Sequence, residues 1–417
     1  MITTATPPAP PAAPAATVGT YARDYLARIR GGDIGALPAV LGLLVLCAVF
    51  AYFRPNFLTL GNFANLFPQG AAVTVIAMGL VFVLLVGEID LSAGFASGVC
   101  AAVLAVLLTE QGQPWYVAVV AALATGVVIG MSLGFLVAKV GIPSFVVTLA
   151  GFLAFQGVML IVISGGNIVP VRDDTILALA NRNLAPVVGW GLAAVSIGGY
   201  AAVQLVSQRR RVARGLVAPP LAVVCLRIGL LAGILGVAVY LLNQERARVA
   251  AVVSLKGVPI VVPLIAVLLV VGTFVLHRTR FGRHIYAVGG NREAARRAGI
   301  NVDLIRISAF MICSTMAAVG GIIAASRGNS VDATTGGSDV LLLAVGAAVI
   351  GGTSLFGGKG RLVNGVIGGA VVAVIDNGMG LMGYSSGVKF AVTGLVLLLA
   401  AGVDALSRRR AVATGTR

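Results

Sequence analysis

The sequence predicts an all-α, polytopic transmembrane helical bundle of about 10–12 spans, and three observations predict it. Hydrophobic residues fill 59% of the 417 positions and charged ones only 11%, against about 25% in a soluble domain. Apolar runs close to 20 residues recur, the length that crosses a bilayer core about 30 Å thick. The chain also carries 55 Gly, and small residues let helices approach closely in lipid.

Taken in order, the chain begins with MITTATPPAPPAAPAATVGT, where five of the 16 Pro fall in the first 14 residues. No basic region precedes an apolar one there, so this is no signal peptide, and residues 1–35 read as a disordered cytoplasmic tail. Twelve apolar segments follow, near 37–53, 64–87, 93–109, 115–138, 143–164, 184–206, 221–243, 258–276, 307–325, 340–356, 363–382 and 388–406. Together they define a transmembrane domain over 36–407, with a basic cytoplasmic C-terminus over 408–417. An even number of spans puts both termini on one side. With that side cytoplasmic, 22 of the 30 Lys and Arg lie inside, as the positive-inside rule requires. The net charge of +16 is therefore a topology signal and not a nucleic-acid surface. Cys47, Cys100, Cys225 and Cys313 sit in or beside apolar runs, with neither metal spacing nor an expected disulfide.

Two Gly-interrupted segments echo each other. Val86–Gly94 resembles Ile350–Gly358, and each follows an apolar run and precedes a small-residue one. An internal repeat of this kind, with broken or re-entrant helices, is how transporters build irregular backbone at a pathway. Within the first copy, Glu88, Asp90 and Ser92 place two carboxylates at the end of an apolar helix. Charge at membrane depth is costly and functional by default. Three readings stay open: ending or bracing a helix break, lining a pathway with Thr353 and Ser354 of the second copy, or coupling to ions. Asp376-Asn377-Gly378 interrupts a later span, either as a helix break or as a polar patch able to donate to and accept from sugar hydroxyls.

No catalytic constellation appears. Gly357-Gly358-Lys359-Gly360 fails as a phosphate loop, because Thr353 stands where the first Gly is needed and Gly360 where Ser or Thr is needed. No cofactor or metal site is expected, and the chain is not read as an enzyme.

The longest polar connection is His277–Arg306, which carries seven Arg and both His. Composition leaves it divided between contact with lipid headgroups and docking of a partner. After a Gly-Gly-Asn turn, Asn291 can cap a short helix of good formers ended by Gly299. Its other arginines read as topology signals.

Glu293-Ala294-Ala295, with Gly299 four residues beyond Ala295, resembles the coupling signature of bacterial ABC-importer permeases. The segments Phe281–Arg283, Tyr286–Asn291, Ala298–Val302 and Ile350–Leu355 resemble the ribose and xylose sugar branch of that family. Glu88–Ser92, Pro143–Gly151 and Arg209-Arg210-Arg211 are similar to its D-xylose type. The resemblance covers about residues 60–407. It implies a permease domain over 36–407 whose cytoplasmic loop 277–306 receives work from a separate ATPase with two nucleotide-binding domains. It further implies a homodimer of permeases in the bacterial inner membrane, fed by an extracytoplasmic sugar-binding protein. The alternatives are a permease of the same branch for ribose or another sugar, and an ion-coupled secondary transporter using Glu88, Asp90 and Asp376.

Overall fold

The computed structural model describes residues 36–247 and 254–413, with the isolated positions 19 and 23. The expected N-terminal tail, those two positions aside, and residues 414–417 lie outside the described residues. Every one of the twelve apolar segments contains a helix: α1 (Leu37–Phe53), α2 (Leu60–Leu85), α3 (Ala93–Thr109), α4 (Trp115–Phe135) and α5 (Ser144–Val162) come first. After the short α6 (Asp174–Asn181) come α7 (Pro186–Ala213), α8 (Leu221–Leu242) and α9 (Val261–Arg278). Two further short helices, α10 (Arg280–Gly290) and α11 (Arg292–Arg297), lead to α12 (Val302–Gly328), α13 (Ser338–Ile350), α14 (Leu362–Leu381) and α15 (Ser386–Ala413). Among the described residues eight helices are long and apolar enough to cross a membrane: α2, α4 with its extension to Val140, α5, α7, α8, α9, α12 and α14. The apolar helices α1, α3 and α13, and the apolar part of α15, are shorter.

The core is built from α2, α3, α4, α12 and α14. The apolar window of α2 is 78% buried while those of α7, α8 and α9 are 11% buried, so α2 is central and the other three form the periphery. Helix α4 lies against α12 through Gly126, Gly130 and Gly134, which meet Ser314, Phe310 and Ile307. This four-residue spacing of small residues is what lets two backbones touch in lipid.

Two groups of connections are tied together, one at each end of α12. At one end Lys139 pairs with Asp303 at 3.0 Å, and the 86–92, 278–302 and 351–361 connections meet. At the other, strands β1 (Val169–Pro170) and β2 (Ser330–Val331) pair antiparallel. There Asn181 Nδ2 donates to the Ser326 carbonyl at 2.7 Å, and the Leu184 N–H donates to the Val258 carbonyl.

One feature corrects the sequence reading, and a second agrees with its broken-helix alternative. The expected Gly-Gly-Asn turn is absent, because Gly289 and Gly290 are the last residues of α10. The Gly-rich segments near 94 and 352 are full breaks beside short helices: the chain leaves α2 through Gly87 (φ 74°) and α13 through Gly352 (φ 101°).

Candidate functional site

The segment bearing the coupling signature is a helix capped at both ends. Asn291 is extended, and its Oδ1 accepts from the Ala294 N–H at 2.9 Å, satisfying a donor that α11 leaves free. Glu293 sits in the first turn, where the helix dipole favours a carboxylate, and faces Arg296 and Arg297 at 3.7 and 3.6 Å. At the other end Gly299 takes φ 80°, and the Gly299 and Ile300 N–H groups close on the Arg296 and Ala295 carbonyls. Asn301 then caps α12 through the Leu304 N–H at 3.0 Å. Of 291–299 only Ala295 is buried. The helix thus stands on one small residue and presents Glu293, Ala294 and Gly299 outward.

Its anchorage was missed in the sequence. Glu88, 5% exposed, receives Arg306 Nε at 2.8 Å and is also bonded by Arg292. Arg292 is the first residue of α11 and Arg306 lies in the second turn of α12. These two arginines are therefore more than topology signals, because α11 and α12 are tied through them to the α2–α3 break. Positional charge says which side a residue lies on, not which carboxylate it will find, and these partners lie about 200 residues away. Beneath them backbone meets backbone. A Cβ on Gly289 would collide with the Leu85 carbonyl oxygen, the same oxygen that accepts from the Gly358 N–H at 2.9 Å. Tyr286 donates to the Gly360 carbonyl at 2.9 Å. Burial pushes the Tyr286 phenol up, and Arg361 opposes this, so the hydroxyl stays protonated as a donor.

Of the remaining candidates in the two echoed segments, Asp90, Ser92 and Ser354 brace their breaks, while the buried Thr353 hydroxyl has no hydrogen-bond partner among the described residues. Asp90 Oδ1 accepts from both the N–H and the hydroxyl of Ser92, at 2.8 and 2.6 Å. Asp90 Oδ2 is buried without a hydrogen-bond partner of its own, and the Cys313 thiol interacts with the same carboxyl group. Ser144 and Thr148 of α5 hold Ile89 by its N–H and carbonyl. Thr353 and Ser354 are buried in the second break, where Ser354 Oγ accepts from the Phe356 N–H at 3.1 Å. The echoed segments touch at Gly87 and Gly357.

Asp376 and Asn377 lie apart from these, toward the opposite face. Asn377 and Asn62 exchange two amide hydrogen bonds, both 2.9 Å. Asn377 Nδ2 also reaches Gln69 Oε1 at 3.0 Å. Gln69 in turn donates to Asp376 Oδ2 at 2.6 Å, and Lys389 Nζ donates to Oδ1 at 3.0 Å. The network ties α2, α14 and α15 beside Phe50 and Phe57. Asn62 and Gln69 went unnoticed in the sequence, although their spacing of seven puts them on one face of a helix.

Comparison with known proteins identifies the family. The permease family described as "Branched-chain amino acid transport system / permease component" matches residues 62–401. The xylose transport system permease protein XylH of Escherichia coli K12 is 37% identical over 354 residues, 85% of this chain and 87% of the relative. XylH of Haemophilus influenzae is 32% identical over 90% of this chain and 98% of its own. The ribose import permease protein RbsC of E. coli K12 is 32% identical over 88% and 92%. No solved structure matches significantly. With eight apolar helices long enough to span a bilayer and a family match across most of its length, the chain is a multi-pass membrane protein that belongs to this family of transport-system permeases.

Proposed function

We propose that this chain is the membrane-spanning subunit of an ATP-driven importer for a pentose, D-xylose first. A homodimer of permeases in the bacterial inner membrane, both termini cytoplasmic, forms the path through the domain at 36–407. An extracytoplasmic binding protein delivers the sugar, and a cytoplasmic ATPase with two nucleotide-binding domains drives transport through loop 277–306. One observation carries the reading: an exposed, doubly capped helix, Glu293–Gly299, is clamped through Arg292, Glu88 and Arg306 to the helix breaks of the bundle. A movement imposed on Asn291, Glu293, Ala294, Ala295 and Gly299 from outside reaches the core without crossing a flexible linker.

On this reading Glu88, Asp90, Ser92, Thr353 and Ser354 form the hinge beside the path. Asp376 and Asn377, with Asn62, Gln69 and Lys389, form its outer polar stretch. Amide and carboxylate groups can exchange hydrogen bonds with sugar hydroxyls as the network opens. The similarity to XylH favours xylose, and the similarity to RbsC makes ribose the first competitor.

The test is reconstitution of the permease with an ATPase and a sugar-binding protein of the same organism, sought first in the neighbouring reading frames. Uptake of labelled xylose that needs ATP and both partners, and that ribose competes for weakly, supports the proposal. Strong competition by ribose moves the substrate within the branch. Uptake by the permease alone that collapses with a proton uncoupler overturns the importer in favour of an ion-coupled transporter.

A further inference from the structure

The Arg209-Arg210-Arg211 stretch has no part in the proposed coupling site, yet Arg210 and Arg211 border a cleft. That cleft, of about 540 Å³, lies between the ends of α7 and α9 and is bordered by Arg210, Arg211, Arg214 and Arg278. None of the four has an ion-pair partner among the described residues. Its remaining wall is mostly apolar, with Val203, Val206 and Leu216. Four unneutralised guanidinium groups around an otherwise greasy cleft call for an anion that carries its own hydrocarbon.

The lipid-facing surfaces leading to the cleft supply the second observation. On α9, Val267, Val270, Val271 and Phe274 are all exposed, and their i, i+3, i+4, i+7 pattern makes one stripe that ends at Arg278. From Val267 to Arg278 the stripe rises about 16 Å at 1.5 Å per residue, the depth of one leaflet of a core about 30 Å thick. On α7, exposed Val203 and Val206 share a face with Arg210. Two apolar tracks thus converge on four arginines at the level where a headgroup sits.

We propose that this cleft is a binding site for an anionic phospholipid. Arg210, Arg211, Arg214 and Arg278 hold the phosphate, and the acyl chains lie along the α7 and α9 stripes. Guanidinium forks suit phosphate oxygens bidentately, and basic pockets between spanning helices bind anionic headgroups in this way. An acidic protein surface or free phosphate would satisfy the arginines but would not fill the apolar wall formed by Val203, Val206 and Leu216. The proposal does not depend on which sugar the permease carries.

The test is native mass spectrometry of the delipidated permease titrated with phosphatidylglycerol and, separately, phosphatidylcholine. The wild type should retain phosphatidylglycerol preferentially. Replacing one cleft arginine by Gln should weaken that retention about fivefold, and replacing all four should weaken it by at least ~100-fold. Arg209→Gln, on the same helix but outside the cleft, serves as the control and should change little. Arg210→Lys with Arg211→Lys keeps the charge and the fold, and should still lower phosphatidylglycerol retention through loss of the forked geometry. Equal retention of both lipids by the wild type overturns the proposal. So does undiminished phosphatidylglycerol binding by the fourfold variant. Displacement of phosphatidylglycerol by millimolar inorganic phosphate would assign the site to the free anion. Loss of ATPase co-purification with unchanged lipid selectivity would assign it to a protein contact.

Discussion

On the proposed function, replacing Glu88 with Gln should disconnect the ATPase from the path while leaving it bound. The substitution keeps shape and removes charge from a side chain 5% exposed. Gln can still accept from the guanidinium groups but no longer offers them an opposite charge, so each contact loses part of the about 1.5–3 kcal/mol of a hydrogen bond to a charged group, roughly 1 kcal/mol. Arg306, 13% exposed, contributes most of this, whereas Arg292 is 44% exposed and its share is reduced by solvent screening. A total near 2 kcal/mol is about 30-fold in an equilibrium. The assay is sugar uptake and ATP hydrolysis in the reconstituted complex, beside co-purification of the ATPase. Uptake should fall by about 10- to 30-fold with co-purification intact, because Glu293–Gly299 is untouched. Glu88→Gln combined with Arg306→Gln should recover part of the loss, since no buried charge then stands unpaired. Uptake of Glu88→Gln within twofold of wild type, or a double variant no better than the sum of the singles, would refute the clamp.

Other positions separate the roles further. Glu293→Ala and Gly299→Val should abolish ATPase co-purification, while size-exclusion behaviour in detergent stays that of the wild type; Val at φ 80° is strained whatever its neighbours. Gly289→Ala should cost about 1–3 kcal/mol through overpacking, seen as a lowered Tm, because its Cβ meets the Leu85 carbonyl. Asn62→Ala, which leaves Asn377 without its reciprocal partner, and Asp376→Ala should each cut uptake several-fold, as one or two lost hydrogen bonds imply, with ATPase binding unchanged.

Much of the fold could be read from one dimension. Hydropathy found all twelve apolar helices because lipid demands long apolar runs and nothing else in a helix hides them. The caps of α11 were equally plain, since Asn291 and Gly299 act within four residues of their targets. Helix α10 was hidden by Gly289 and Gly290, which read as punctuation when tertiary contact with Leu85 is what requires the first of them. The Glu88 clamp and the Asn62–Gln69–Asn377 network were hidden for a different reason. Each joins residues some 200 to 300 positions apart, and neither charge sign nor polarity specifies a partner.

The contact at Leu85, Gly289 and Gly358 has a mechanical consequence. Long side chains absorb displacement by changing rotamer, so a joint made from them has play. Here peptide groups press on one another with no side chain between, and such a joint transmits a short push at full stroke. A larger residue would act like grit in a bearing, and a softer one does not exist.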